Sequence, residues 1–304
     1  MSANKKIAVG VSGGADSLAL ALMLKEKGLN IIALTVNHGL RKEAKKEALY
    51  VKKTMKDNDI EHHTLEWKGA KPKTAIEEKA REARYNLMIN WCKKNNINDL
   101  YLAHHKNDQA ETFLMRLIRG SGIDGLASMQ EETQRDDINI IRPLLNTSKE
   151  ELEAYLKKKK IKWVKDKMNF DDTYLRSKLR KLLPKLEKSI GLTTDRIILC
   201  ANNMARAKDY FNKEVDGFFN NNVKFEEEHL IINKAAFLDL HPEMGLRVLV
   251  KALSEVNGKI YKPRLVSLES VYNKIINEKK FNRYSLSHCI IEFRKQGILI
   301  KKER

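Results

Sequence analysis

A glycine-rich segment near the amino terminus has the residue types of a phosphate-binding loop. Residues 12–17 read Ser-Gly-Gly-Ala-Asp-Ser and follow a short β-branched run at residues 7–11. Two adjacent glycines lack Cβ and can adopt positive φ, so that their amides and the next ones point into one concavity. The amino terminus of a following helix adds positive charge there. We therefore expect a phosphate or pyrophosphate to be bound by Ser12, Gly13, Gly14, Ala15, Asp16 and Ser17.

Asp16 is unusual in such a loop, because an anion beside a phosphate needs a positive partner. Capping of the helix explains its presence in part. A Mg²⁺ ion shared between Asp16 and a triphosphate explains it better. No lysine follows the loop, and neither G-x-x-x-x-G-K-[ST] nor G-x-G-x-x-G occurs at this place. These absences argue against γ-phosphate transfer of the usual NTPase type and against a Rossmann dinucleotide site.

The elements that must position this loop alternate between strand and helix. Strands are predicted at residues 7–11, 31–36, 62–67 and 99–103, and helices at residues 16–27, 42–58, 74–95 and 107–118. Short strands separated by helices imply right-handed βαβ crossovers. The predicted fold class is therefore α/β, a parallel twisted sheet with helices on both faces. Ligands of such a sheet lie at the carboxyl ends of its strands, where the loop, His38, His104 and His105 fall.

After residue 143 the alternation stops. Helices are predicted at residues 149–160, 174–188, 193–219, 242–256 and 263–277, a hairpin at 223–233, and a strand pair at 284–293 and 298–301. The expected organisation has three parts. They are a catalytic domain at residues 1–190, a helical connector at residues 191–219 and a small α+β domain at residues 220–304.

The net charge of the chain is +18. Lysine-rich surfaces also occur without a polyanion partner, so the total alone leaves the question open. The excess is concentrated at residues 149–190, where 14 Lys or Arg stand against seven Asp or Glu. Basic side chains neutralise phosphates, and the aromatic residues among them offer faces for unstacked bases. RNA binding is one interpretation of this segment, and a solvated helix with buried aromatics is the other.

Cysteine spacing and hydropathy exclude several other classes of protein. The three cysteines, Cys92, Cys200 and Cys289, form no C-x-x-C pair. Their separation speaks against a zinc ribbon, an iron–sulfur site or a disulfide scaffold. The longest apolar stretch, residues 18–24, is too short to span a bilayer, and no targeting signal opens the chain. We expect a cytoplasmic protein with no membrane partner.

The motifs, taken in order, resemble one enzyme family. Ser-Gly-Gly-x-Asp-Ser after a first strand resembles the PP-loop of N-type ATP pyrophosphatases, which cleave ATP between the α- and β-phosphates. Residues 36–41 (Val-Asn-His-Gly-Leu-Arg), 102–122, 142–145 (Arg-Pro-Leu-Leu) and 176–184 then follow in an order similar to that of the tRNA(Ile)-lysidine synthetase family. The resemblance runs over essentially the whole chain, is strongest over residues 7–129, and is to the short members of that family.

The resemblance implies a ligase that modifies the wobble cytidine of tRNA(Ile) with a CAU anticodon. Its substrates would be ATP, with Mg²⁺, and free L-lysine, and its products lysidine, AMP and pyrophosphate. The side chains expected to take part in the reaction are Asp16, Arg84 and Asp108, with Asp16 also sharing Mg²⁺. ATP would be bound by the loop and His38, and the expected contacts to substrate or tRNA are Arg41, His105, Arg116, Arg119, Arg176 and Arg180. A homodimer is a further expectation.

Two positions depart from the family pattern. Asn107 stands where the family has the first of two paired acids, so the charged role falls on Asp108 and leaves Asn107 as a neutral hydrogen-bonding partner or cap. Ser177 stands where the family has an amide, which puts any role of that position in doubt.

Several alternatives remain open from the residues alone. His104 and His105 start on opposite faces of their segment, so at most one of them is expected to line the site. Arg81, Arg84 and Tyr85 share one helix face, which fits either a nucleotide contact or solvated charge over a packed tyrosine. For the function, the alternatives are another PP-loop tRNA-modifying enzyme and a catalytically silent tRNA-binding protein.

Overall fold

The structure is a computed structural model. It describes residues 5–39, 43–69, 74, 76–164, 175–258, 263–277, 283–294 and 297–303. The chain divides into two compact units, Met1–Ala205 and Arg206–Arg304, so the division falls inside the helix predicted as a connector. Within the described ranges, no helix is both long enough and apolar enough to cross a membrane.

The first unit is built on a six-stranded sheet. Its strands are β1 (Ile7–Gly10), β2 (Ile31–Asn37), β3 (Glu61–Glu66), β4 (Asp99–Tyr101), β5 (Glu132–Arg135) and β6 (Ile138–Ile141). Their order is β3-β2-β1-β4-β6-β5, and every neighbouring pair is parallel except β5 with β6. The predicted parallel sheet is confirmed. Because β1 has β2 on one side and β4 on the other, a crevice opens at its carboxyl end.

Helices cover both faces of this sheet. They are α1 (Ala15–Glu26), α2 (Ala44–Lys56), α3 (Ile76–Lys94), α4 (Lys106–Ile118), α5 (Ile123–Leu126), α6 (Lys149–Lys158) and α7 (Leu175–Ile190). Side chains alternate along β1, so that Val9 packs in one apolar cluster with α1, α2 and α6. Ala8 packs in another with Tyr85 and Met88 of α3. α1 is apolar on all sides because it lies in the interior, between the sheet and α6.

The second unit is a small α+β structure. α8 (Thr194–Asn222) begins in the first unit and ends in the second, which continues with β7 (Val223–Glu226), β8 (His229–Ile232), α9 (Lys234–Leu238), α10 (Pro242–Asn257), α11 (Leu265–Asn277), β9 (Tyr284–Leu286), β10 (Cys289–Arg294) and β11 (Gly297–Lys302). The five strands form one antiparallel sheet in the order β7-β8-β11-β10-β9. The predicted α+β class of this part is confirmed.

The predictions failed at two tight turns. Residues 284–293 were predicted as one strand, but they form β9 and β10 around Ser287 and His288, whose φ values are 54° and 59°. The β5–β6 hairpin was not predicted at all, and it turns at Asp136 and Asp137, with φ values of 48° and 65°. Two-residue hairpin turns need positive φ and are usually marked by Asn-Gly or Asp-Gly. Neither turn contains glycine, so the usual sequence signal was missing.

Candidate active site at the carboxyl edge of the sheet

The glycine loop lies between the end of β1 and the start of α1. Gly13 has a φ of 89°, in the left-handed region, whereas Gly14 has a φ of −73°. Of the two glycines that can adopt positive φ, only Gly13 does so. A Cβ at Gly13 would also lie 3.0 Å from Cγ2 of Val51. The backbone conformation and the tight packing together require glycine at position 13.

Hydrogen bonds inside the loop hold its shape. The Ser12 N–H donates to Oγ of Ser17 at 3.0 Å, and Oγ of Ser17 donates to the carbonyl of Gly14 at 3.1 Å. The carbonyl of Gly13 accepts from the N–H of Val164 at 2.9 Å. The carbonyls of both glycines are thus engaged by the protein. The first amides of α1 have no partners within the helix, so this end of the helix suits an anion.

Asp16 is the second residue of α1, and capping does not explain it, because the N-cap is Gly14 and no side chain caps the helix. Its Oδ1 is buried and has no hydrogen-bond partner among the described residues. Burial raises the pKa of the Asp16 carboxyl, His105 and Lys149 oppose this, and Asp108 and Glu153 add to it. A buried carboxylate oxygen that no protein donor satisfies fits a ligand for a hard cation such as Mg²⁺.

A cation at Asp16 would need oxygen ligands from a bound phosphate. In the described ranges, no group of three or more His, Cys, Asp or Glu side chains is arranged to hold a metal ion. Mg²⁺ is commonly bound by one or two carboxylates together with substrate phosphates and water. The single carboxylate beside an anion-binding loop fits that pattern.

His105 connects Asp16 to Asp108. Its side chain is the N-cap of α4, where Nδ1 accepts the N–H of Asn107 at 3.2 Å. Because Nδ1 accepts, the hydrogen of a neutral ring lies on Nε2. That Nε2 lies 3.6 Å from Oδ2 of Asp16 and 3.5 Å from Oδ2 of Asp108. His105 was predicted as a contact to substrate or tRNA, and the structure places it, 4% exposed, between two carboxylates.

The other members of this region of α4 have distinct environments. Burial lowers the pKa of His104 to about 3, so its ring is neutral. The side chain of Asn107 accepts the N–H of Lys149 at 3.2 Å, which joins α4 to the start of α6. A neutral amide in place of the family's acid therefore serves as a hydrogen-bond acceptor between two helices.

A buried ion-pair cluster lies beside Asp108. Oδ1 of Asp108 accepts from Nη2 of Arg176 at 3.2 Å. Nε of Arg176 donates to Oε2 of Glu111 at 2.6 Å, and Nε of Arg180 donates to Oε1 of Glu111 at 2.7 Å. Burial would raise the pKa of Asp108, but the His105 side chain, Arg176 and the hydrogen bond from the His105 N–H outweigh it and the pKa is lowered. Asp108 is therefore held ionised.

Glu111 was missed in the sequence, although a signal was present. It follows Asp108 by three positions, so both side chains lie on one face of α4. Arg176 and Arg180 are four positions apart and share one face of α7. Two acids on one helix and two arginines on another predict an ion-pair cluster only if the two helices are known to pack together. The sequence does not show that packing, because it joins residues 65 or more positions apart.

The remaining predicted residues lie at different places around the edge. Arg84 on α3 is partly buried, and the loss of solvent around it lowers its pKa; the charges acting on it include Arg176 and Asp108. Arg116 donates to the carbonyls of Gly125 and Ser128, at 2.6 and 3.1 Å, and so supports the segment around α5.

Three further predicted residues lie away from the ion-pair cluster or outside the described part of the chain. Arg119 is exposed at the C-cap of α4. The ring of His38, just beyond β2, lies edge-on to Trp67 with centroids 5.9 Å apart. Arg41 lies outside the described residues.

The fold and the loop together define an ATP-binding protein of the PP-loop class. Residues 2–186 match the PP-loop domain family, which is more than half of the chain. Among solved structures, the U34-tRNA thiolase NcsA from Methanococcus maripaludis superposes with a TM-score of 0.58 at 22% identity, covering 67% of this chain and 73% of that one. At this identity the likeness shows the fold alone.

Curated relatives give the family within that class. The tRNA(Ile)-lysidine synthase of Wolbachia pipientis wMel is 41% identical over 307 residues, covering 99% of this chain and 71% of the relative. Those of Orientia tsutsugamushi (35% over 313 residues, 99% and 70%) and Rhodopseudomonas palustris (38% over 273 residues, 87% and 78%) are also similar. The chain belongs to the tRNA(Ile)-lysidine synthase family.

Proposed function

We propose that this chain is a ligase that converts the wobble cytidine of tRNA(Ile) with a CAU anticodon into lysidine. It uses ATP and free L-lysine and releases AMP and pyrophosphate. Together with family membership, one observation carries the proposal. His105 lies within 3.6 Å of Asp16, in the phosphate loop, and within 3.5 Å of Asp108, in the adjoining ion-pair cluster. A nucleotide site and a site for a cationic substrate thus meet at one histidine.

ATP is assigned to the loop of residues 12–17 and the amino terminus of α1. The loop amides and the helix end are assigned to the phosphates, and His38, which directly follows β2, is assigned to contact the nucleotide. Asp16 would hold Mg²⁺ through its unpartnered Oδ1. When bound, the ion neutralises charge on the phosphates and on the leaving pyrophosphate.

The first chemical step joins the cytidine to the α-phosphate. The O2 atom of the base attacks the α-phosphorus, and the bond to the β-phosphate oxygen breaks as pyrophosphate leaves. Arg84 is the residue assigned to steady the base and the negative charge that develops on the α-phosphate oxygens. It is partly buried, so water screens its charge less than it would on an open surface.

The second step replaces O2 by the amine of lysine. The amine attacks C2 as the free base, the C2–O2 bond breaks, and AMP leaves with that oxygen while the amine loses a proton. Asp108 is suited to bind the ammonium groups of lysine, because its lowered pKa makes it a good anion and a weak base. Of the two roles that its charge allows, we therefore assign ammonium binding to Asp108 rather than that of general base.

Contacts to the tRNA are assigned from charge and exposure. Arg176 and Arg180 are held by Glu111, yet about a third of each side chain stays exposed (32% and 34%). Those exposed edges, Arg116, Arg119, the basic residues of 149–190 and the C-terminal unit are assigned to RNA. A homodimer stays a prediction, which sedimentation equilibrium of the free chain measures.

Two other functions make different predictions. A sulfur-transferring PP-loop enzyme would put sulfur into the RNA, and a silent RNA-binding protein would bind tRNA without consuming ATP. The test is incubation of the pure chain with ATP, radiolabelled lysine and tRNA(Ile) with the CAU anticodon. We expect label in the RNA together with AMP and pyrophosphate. Tight tRNA binding with no release of AMP, with or without lysine, would contradict the proposal.

A further inference from the structure

Three arginines surround the ring of Tyr85 on the α3 face of the sheet. The Cζ atom lies 5.3 Å from the ring centroid for Arg135, 5.9 Å for Arg81 and 6.0 Å for Arg84. Arg81 and Arg84 come from α3, whereas Arg135 comes from the β5–β6 hairpin that the sequence did not reveal. Tyr85 itself is buried. The ring therefore acts as the floor of a patch that carries three positive charges.

Carboxylates do little to balance these charges. Among the described residues, Arg81 and Arg84 form no ion pair. Nε of Arg135 lies 3.8 Å from the exposed Asp136, and its Nη2 donates to the Asn86 amide oxygen at 3.0 Å. Guanidinium groups crowded at one place repel one another, and a bound anion relieves that repulsion. Arg81 is exposed and the Arg135 side chain is 40% exposed, so an anion can reach the patch from solvent.

The patch lies within electrostatic range of the site of the proposed reaction. Asp108 and Arg176 are among the charges that act on Arg84, and Arg81 acts on Arg116 of α4. The choice of residue also points to phosphate. Only sixteen of the 58 basic residues are arginines, yet eight of these lie between residues 81 and 180. Arginine binds phosphate through two parallel hydrogen bonds, which lysine cannot do.

We propose that Arg81, Arg84 and Arg135, arranged around Tyr85, form a phosphate-binding patch for the RNA chain beside the modified nucleotide. The assignment rests on the proposed function, since it takes RNA as the substrate. It adds Arg81 and Arg135 to the RNA-binding surface and gives the β5–β6 hairpin a role in substrate binding. The patch is open to solvent and lies near the reaction site. Such a surface suits a phosphate of a long RNA chain better than a small free anion, which would need an enclosed site.

The test compares two double variants of the full chain. R81Q/R135Q removes two charges from the patch, and K52Q/K56Q removes two exposed lysines from α2, which packs against the opposite face of the sheet. The affinity for tRNA(Ile) with the CAU anticodon is measured by fluorescence anisotropy across a series of salt concentrations. The logarithm of the association constant falls linearly with the logarithm of the salt concentration. Each lost phosphate contact makes this negative slope shallower by about 0.7 to 0.9. We expect the slope to fall in magnitude by about 1.5 for R81Q/R135Q and to change little for K52Q/K56Q.

A third variant guards against a folding artefact. R81K/R135K keeps both charges, so the salt slope should stay near that of the wild type while the affinity falls through loss of paired hydrogen bonds. ATP affinity should be unchanged in all three proteins, and none should melt below the wild type, because R81Q/R135Q relieves repulsion between the arginines. An unchanged slope in R81Q/R135Q, or an equal fall in K52Q/K56Q, would overturn the proposal. Failure of the wild type to incorporate lysine would instead count against the proposed function, because RNA binding is measured without the reaction.

Discussion

Glu111 and Arg176 stand 65 positions apart in the chain, and Nε of Arg176 donates to Oε2 of Glu111 at 2.6 Å. Glu111 is 1% exposed and accepts from Arg180 as well. Arg176 also contacts Asp108, the proposed lysine-binding residue. The buried carboxylate of Glu111 therefore fixes the position of the Arg176 guanidinium beside Asp108. Glu111 therefore acts by positioning, through residues that could themselves reach a substrate.

Replacing Glu111 by glutamine should weaken both the fold and the reaction. The change leaves two guanidinium groups without their buried anion, which costs about 2 kcal/mol, a moderate figure because both arginines are partly exposed. Urea denaturation of E111Q measures this loss. ATP affinity should stay near the wild-type value, while lysidine formation falls. The exposed Glu131 provides the control, since E131Q should change neither quantity; an E111Q protein as stable and as active as the wild type would refute the positioning role.

Replacing Asp16 by asparagine should separate stability from activity. Burial raises the pKa of Asp16 above its ordinary 3.8, so its ionisation is less favourable in the folded than in the unfolded chain. This cost is absent below the unfolded pKa and is fully present above the folded one. In metal-free buffer, D16N should therefore be more stable than the wild type at neutral pH and equal to it in acid.

The same variant should lose Mg²⁺-dependent binding of ATP. Thermal melts with EDTA and with Mg²⁺ and ATP measure the two effects on the same samples. A D16N protein that is less stable than the wild type at neutral pH without metal, or that still gains stability from Mg²⁺ and ATP, would contradict the role assigned to Oδ1.

The two glycines of the loop should differ when each is replaced by alanine. At Gly13 the positive φ and the contact with Val51 at 3.0 Å make a Cβ costly, by about 1 kcal/mol or more. At Gly14 a Cβ would meet only Oγ of Ser12 at 3.6 Å, so G14A should fold normally. Chemical denaturation compares the pair, and equal stability of G13A and G14A would contradict the loop geometry.

Replacing His105 by asparagine tests its place between the carboxylates. Asparagine is a good N-cap, so H105N should keep most of the stability that H105A loses, about 1 kcal/mol. In both variants the effect of His105, which lowers the pKa of Asp16, is removed. The pKa of Asp16 therefore rises, and the acid limb of Mg²⁺-dependent ATP binding should move to higher pH. ATP titrations at a series of pH values measure this shift, and an acid limb that stays in place or moves to lower pH would argue against the contact.

Local features of the sequence predicted much of the site. The glycine loop and Asp16 were found because they lie between a recognisable strand and a recognisable helix, and the parallel sheet followed from the alternation. Asp108 was found through the resemblance to the family. What failed depends on contacts between distant segments. Glu111 gains its meaning only when α4 packs on α7, and Arg135 only when an unmarked hairpin joins the sheet beside α3. The N-cap at Gly14 instead of Asp16 is a local feature, yet either residue suits a cap and composition cannot choose between them.

Nucleoside analysis of the reacted tRNA tests the proposed reaction most directly. The chain is incubated with tRNA(Ile) bearing the CAU anticodon, ATP and lysine, the RNA is digested, and its nucleosides are separated and weighed by mass spectrometry. The proposed reaction predicts that the wobble cytidine gains the mass of one lysine less one water, with one AMP and one pyrophosphate released per modified nucleoside. An unmodified wobble cytidine, a sulfur-containing product, or AMP released without a lysine adduct would contradict it.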